Sequence, residues 1–152
     1  MRLSAAGLTL IKRSEGFRGS LYKDTAGLET IGYGHKVISG ENFSRGIDQT
    51  QAETILAADV SSAEASVTRL VKVKLTQGQF DAMVDFVFNL GAWRLANSTL
   101  LKDLNAGSYE QAAEQLLLWD HCGETENAGL KARRESDLEL WSGTAAARLA
   151  AA

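Results

Sequence analysis

Six glycines fall between positions 16 and 40 (16, 19, 27, 32, 34 and 40), in a stretch flanked on both sides by residues that recur at helical spacing. Among them stand Leu21-Tyr22, Leu28, Ile31 and Val37-Ile38, a pattern of short strands and tight turns that no helix would tolerate. Before this stretch, Ser4 is placed to cap a helix carrying Leu3, Leu10 and Ile11 on one side, with Gly16 as its stop signal. After it, Asp48 and Gln51 form a capping-box pattern. Ala52, Ile55, Leu56, Val60, Ala63, Val67, Leu70 and Val71 then follow at helical spacing. This stripe predicts a helix over about 50–72, too long to belong to one small lobe, and therefore one that bridges two.

Thr76 and Gln79 open a further helix whose run FDAMVDFVFNLG is apolar on nearly every side, which predicts the buried centre of the second lobe. Helices are expected near 98–105, ended by Asn105-Ala106-Gly107, near 109–119 with Ser108 and Gln111 as caps, and over about 130–141 with Leu130, Leu138 and Trp141. Proline is absent from the chain, so helix ends rely on glycine and on capping side chains. The predicted fold class is α+β and mainly α, a single domain over 1–152. Its N-terminal lobe (about 12–50) holds a small antiparallel sheet, a linking helix covers about 50–72, and a helical C-terminal lobe (about 73–145) takes in the first helix. Ile55, Leu56, Val67 and Leu70 are expected to join a core of Met83, Phe86, Val87, Leu100, Leu101 and Trp141. The closing TAAARLAAA is low in complexity and expected to pack weakly.

Charge narrows the function classes. The formal net charge is −3, and residues 109–152 carry four Lys/Arg against eight Asp/Glu. Nucleic-acid binding needs clustered Lys and Arg against phosphate, so it is not expected. One cysteine, Cys122, excludes an intrachain disulfide and suits a reducing compartment. No segment approaches the roughly 20 apolar residues that span a bilayer, so no stable membrane insertion is expected. The first residues, MRLSAAGLTLIKRSEG, are too short in their apolar part and too amphipathic for a secretion signal.

The chemistry concentrates in Glu15–His35, EGFRGSLYKDTAGLETIGYGH. One carboxylate stands at the exit of the first helix, a second (Asp24) on a Gly-flanked turn, and a hydroxyl (Thr30) on a strand. Cleaving a glycosidic bond needs an acid to protonate the leaving oxygen, and polar groups across the sugar to hold a water. An acid that is protonated near neutral pH needs an enclosed, partly apolar place, which the junction of helix and cleft offers Glu15. Asp24, beside Lys23 on a turn, is expected to stay wet and ionised.

The spacing Glu15-(x8)-Asp24-(x5)-Thr30 followed by IGYGH resembles the phage lysozyme (endolysin) family, glycoside hydrolase family 24. QFDAMVDFVFNLG (79–91), STLLKDLNAG (98–107) and GLKARRESDLELW (129–141) are similar to that family's C-terminal-lobe motifs, in the same order. The resemblance covers about residues 3–142 and implies a lysozyme-like two-lobe fold with a cleft between the lobes. It implies Glu15 as general acid, Asp24 as second carboxylate and Thr30 as the third residue of the centre, holding a water, with inversion at the sugar. It further implies Phe88 and Asn89 as cleft-lining residues, Asn89 toward an acetamido group and Phe88 either there or in the core. Ser98 and Thr99 either bind sugar or cap the helix that begins there, capping being the better fit. Arg133 or Arg134 approaches Glu15 or lies on a solvated helix face, and His35 either tunes Glu15 or serves as a turn or ion-pair residue.

One departure stands before residue 129, where many members carry a proline and this chain has Asn127-Ala128 after the acidic loop HCGETENA. His121 and Cys122 make a poor metal site, and neither a metal nor a cofactor is expected. Gly32 and Gly34 lack the context of a phosphate loop. The implied activity is hydrolysis of the β-1,4 bond between N-acetylmuramic acid and N-acetylglucosamine in bacterial peptidoglycan, for host-cell lysis. A monomer made in the host cytoplasm would then depend on a holin-type membrane lesion to reach the wall. Two rivals are a lytic transglycosylase on the same bond and a catalytically inactive peptidoglycan-binding module. Retention of Asp24 and Thr30 speaks against the first, and intact Glu15, Asp24 and Thr30 speak against the second.

Overall fold

A computed structural model of the chain describes residues 1–144. The closing TAAARLAAA therefore lies, beyond Thr144, outside the described residues. The elements run α1 (Ala5–Glu15), β1 (Arg18–Lys23), β2 (Glu29–Gly32), β3 (His35–Lys36), α2 (Gln49–Leu70), α3 (Gln77–Leu90), α4 (Ala92–Ala96), α5 (Thr99–Asn105), α6 (Tyr109–Leu117), β4 (His121–Cys122), β5 (Thr125–Glu126) and α7 (Ala128–Ser142). The class is the expected one, mainly helical with a small antiparallel sheet in the order β1-β2-β3.

Helix starts follow local chemistry. Ser4 accepts from the Gly7 amide at the head of α1, and full capping boxes join Asp48 with Gln51 and Thr76 with Gln79. Ser108 does not cap α6: its side chain makes no capping bond, so that expectation is corrected. Asn127 caps α7 through the Leu130 amide, which starts the last helix at Ala128, two residues before the predicted boundary. Two elements were not anticipated. The five-residue α4 is shorter than a periodic pattern can reveal. The stretch His121–Glu126, read as a loop, is a two-stranded hairpin.

Buried apolar side chains form two clusters. The larger gathers Leu10, Ala63, Val67, Met83, Phe86, Val87, Leu100, Leu101 and Leu104, among others. The smaller holds Ile11, Tyr33, Ala52, Leu56 and Val60. The stripe on α2 is therefore divided, its first half serving the small cluster and its second half the large one. Leu56 is corrected accordingly: it packs with Ile11 and Tyr33, not with Met83 and Phe86. Leu10 and Ile11, adjacent in sequence, point into different clusters, while Leu3 and Phe88 pack against both.

Helix α3 is buried over eight successive residues, Phe80 to Val87, and two of them are aspartates. A buried carboxylate must find donors or lose stability. Asp81 accepts from the Ser4 amide (3.0 Å), the Ser4 hydroxyl and Gln77 Nε2 (2.8 Å), tying the head of α1 to α3. Glu64 on α2 does the same for the N-terminus, accepting from Arg2 Nη1 (2.8 Å) and the Leu3 amide (2.6 Å). His35 links the sheet to α2: its Nδ1 lies 2.8 Å from Asp59 Oδ2 and its Nε2 2.9 Å from Glu41 Oε2.

Burial is the largest single influence on the His35 ring and by itself lowers its pKa. The bonds and charges of Glu41 and Asp59 outweigh it, and the net shift is upward. Its pairing therefore stabilises the fold fully below the unfolded value of about 6.5 and is lost as pH rises through the raised folded value. His35→Asn should lower the urea midpoint most in mildly acidic buffer, and the gap to wild type should narrow as pH is raised past neutrality. A second prediction concerns Gly78, at the start of α3. A Cβ there would land on the Leu140 carbonyl oxygen of α7. Gly78→Ala should force the two helices apart and cost about 1–3 kcal/mol in urea unfolding, as overpacking does.

Candidate active site

Glu15 is the last residue of α1, where Gly16 closes the helix by donating its amide to Lys12 O at 2.9 Å. Its carboxyl is held from two sides. Oε1 accepts from Arg133 Nη1 at 2.7 Å. Oε2 lies against Gly34, in the turn between β2 and β3, where a Cβ would come within 2.5 Å of it. Gly34 also has φ +78°, so only glycine both adopts the turn and leaves room for the carboxyl.

Arg133 reaches Glu15 because Asp85 sets its plane. Asp85 accepts from Arg133 Nε (2.9 Å) and Nη2 (2.8 Å), a bidentate pair that leaves Nη1 for Glu15. Arg134 turns the other way, donating from Nη2 to Asp85 Oδ2 (3.2 Å) and to Asn89 Oδ1 (3.1 Å), with Nε 2.9 Å from Asp137 Oδ2. Both arginines are buried, which overturns the reading of a solvated helix face; Arg133 alone of the two touches Glu15. Burial opposes the Arg133 charge, but the bonds and charges of Asp85 and Glu15 more than offset it and raise its pKa above the ordinary arginine value. For Arg134 burial prevails and lowers it. Burial, reinforced by the charge of Asp85, pushes the Asp137 carboxyl well above the usual carboxylate range.

Asp24 follows β1 in a tight turn. Its Oδ1 accepts from the amides of Ala26 (2.9 Å) and Leu28 (2.8 Å), and its Oδ2 from Lys36 Nζ at 2.5 Å. The Lys36 bond, then the Leu28 amide, hold its pKa below the usual carboxylate value. Thr30 is fully buried in the central strand. Its hydroxyl donates to Leu28 O at 2.9 Å, which leaves the oxygen free to accept. Sheet register pairs Thr30 with Tyr22 on one side and Lys36 on the other, so Lys36 Nζ also comes within 3.4 Å of Thr30 Oγ1.

The remaining predicted residues are dispersed. His35 spends both ring nitrogens on Asp59 and Glu41, the ion-pair role rather than contact with Glu15. Ser98 donates to Leu95 O and accepts from the Leu101 amide, so its hydroxyl serves the cap of α5; Thr99 is exposed beside it. Phe88 is half-buried between the two apolar clusters, and Asn89 is half-buried with its carbonyl on Arg134. Sequence reasoning missed Asp85 and Lys36. The signal for Asp85 was present, since a carboxylate within an all-round apolar helix must have a partner. Lys36 carried none, because its place depends on strand register.

An open cleft of about 480 Å³ borders the site. Arg133 and Ser14, which adjoin Glu15, line it together with Thr25, which adjoins Asp24, while Cys122 and Asn127 bring in the β4–β5 hairpin and its exit. Among the described residues, no three of His, Cys, Asp and Glu stand close enough to share a metal ion, and no helix is long and apolar enough to cross a membrane.

The phage lysozyme family profile matches residues 12–137. The chain is 39% identical over 145 residues to the endolysin of Acyrthosiphon pisum secondary endosymbiont phage 1, covering 93% of this chain and 98% of that protein. It is 42% identical over 143 residues to the endolysin of Bacillus phage B103, covering 93% of this chain; here it spans about half of the relative's length, 54%. Among solved structures, the endolysin from Escherichia coli O157:H7 phage FAHEc1 superposes with a TM-score of 0.84 at 36% identity, covering 95% of each chain. With a profile match over most of its length and a full-length relative at this identity, the chain belongs to the phage lysozyme family.

Proposed function

We propose that the protein is a peptidoglycan hydrolase, an N-acetylmuramidase that cuts the β-1,4 bond between N-acetylmuramic acid and N-acetylglucosamine by an inverting mechanism. The observation that carries this reading is that neighbours of both carboxylates, Arg133 and Ser14 for Glu15 and Thr25 for Asp24, line a single cleft. Glu15 would give its proton to the leaving glycosidic oxygen as the bond to the anomeric carbon breaks. Asp24 Oδ2 and Thr30 Oγ1 are both acceptors, since the Thr30 proton is committed to Leu28 O. A water between them donates both its hydrogens and presents a lone pair to the sugar. As it attacks, one of its protons passes to Asp24 and its oxygen becomes the new anomeric hydroxyl.

The biological role we infer is host-cell lysis. Synthesis in the host cytoplasm and passage through a holin-type membrane lesion complete the reading, with the protein acting as a monomer on the wall. Endolysin relatives that match over nearly their whole length support it.

Glu15→Gln should abolish clearing of chloroform-treated Gram-negative cells, because the amide has no proton to give the leaving oxygen; loss of acid catalysis is worth roughly 10²–10⁴-fold. Near wild-type clearing by a folded variant would remove the acid assignment. Stereochemistry provides a separate check. NMR of freshly cut reducing ends should show the α anomer first. Initial β anomer would replace inversion by retention, and products lighter by one water would identify a lytic transglycosylase instead.

A further inference from the structure

Lys36 occupies the place at which the proposed water would have to arrive. Its Nζ is 2.5 Å from Asp24 Oδ2 and 3.4 Å from Thr30 Oγ1, so it donates to the same two acceptors that would hold the water. The backbone puts it there: Lys36 is the cross-strand partner of Thr30, and directly opposed residues of an antiparallel pair share a face of the sheet. The side chain is half exposed, and its long stem can withdraw without disturbing the core.

We propose that Lys36 is a positioning residue of the hydrolytic step: its ammonium draws the Asp24 carboxylate and the Thr30 oxygen into one converging pair of acceptors and so builds the seat that the water takes. This rests on the functional reading above. It adds that the seat is assembled by a cation before substrate binds, and that the same contact keeps Asp24 charged until the ammonium yields its place to the water. The fields around Asp24 support it. Lys23 at the end of β1 and Glu29 on β2 oppose one another in register with opposite charges, while the Ala26 and Leu28 amides are fixed by the turn. The Glu15 carboxylate has its own cation, Arg133. Lys36 is thus the one cation bonded to Asp24 among the described residues. Its bond is the largest influence holding the Asp24 pKa down.

The test compares wild type, Lys36→Met and Lys36→Arg on purified peptidoglycan sacculi across pH, together with a carbon-detected NMR titration of the Asp24 carboxyl. Lys36→Met should move the acid limb of kcat/KM and the Asp24 titration to higher pH, and leave the alkaline limb where it is. Lys36→Arg should restore both toward wild type. A merely structural lysine would lower activity without moving either midpoint. An Asp24 titration in Lys36→Met that superimposes on wild type would overturn the proposal. Asp24→Asn separates this failure from that of the functional reading. Inactivity of Asp24→Asn alongside an unmoved Lys36→Met titration removes only the role of Lys36, whereas full activity of Asp24→Asn removes the water-holding reading itself.

Discussion

The bidentate pair between Asp85 and Arg133 is the contact on which the site depends. A guanidinium offers its donors in a rigid plane, and committing two of its nitrogens to one carboxylate fixes where the third points. Here the third points at Glu15, on the far side of the junction between the first helix and the last. The cost is burial of Arg133, Arg134, Asp85 and Asp137 within one cluster. Desolvating such groups is unfavourable by several kcal/mol per ion, and only close pairing offsets it. Pairing in the cluster is uneven. Arg133 has hydrogen bonds from all three of its nitrogens, whereas Arg134 Nε and Asp137 Oδ2 stand 2.9 Å apart without hydrogen-bond geometry. The well-made part of the cluster is the part that reaches the carboxyl of Glu15.

The division of the apolar core explains how the Glu15 carboxyl comes to lie where two apolar clusters meet. Leu10 belongs to the large cluster and Ile11 to the small one, so α1 is clamped on two faces just before it ends. Helix α2 is shared in the same manner along its length. A carboxylate one turn beyond Ile11 has helical core on one side and the β2–β3 turn on the other. Gly34 then admits it at a distance that any side chain would prevent. Enclosure and polarity of the site are thus consequences of where two cores meet.

Around Asp24 the determining feature is strand register. A turn closed by two backbone amides aims Asp24, and pairing of Tyr22, Thr30 and Lys36 across three strands brings a cation to the same spot. Because side chains alternate between faces with a period of two, a slip of one residue would carry Lys36 to the other side of the sheet. The burial of Thr30 follows from its central position, and its bond to Leu28 O turns an ordinary strand threonine into a directed acceptor.

What the sequence determined by itself is local. Capping by Ser4, the Asp48–Gln51 and Thr76–Gln79 boxes, the glycine-marked turns and the α2 stripe act within a few residues, so they declare themselves in order along the chain. The elements that carry Glu15, Asp24 and Thr30 were legible for the same reason, being short and well signalled. Three matters were settled only by the tertiary structure: which arginine meets Glu15, that Asp85 orients it, and that Lys36 rather than Lys23 holds Asp24. Arg133 and Glu15 are 118 residues apart, and Arg133 and Asp85 are 48. The turn of α7 that separates Arg133 from Arg134, and the register that separates Lys36 from its neighbours, come from packing between distant segments. No periodicity within either segment encodes them.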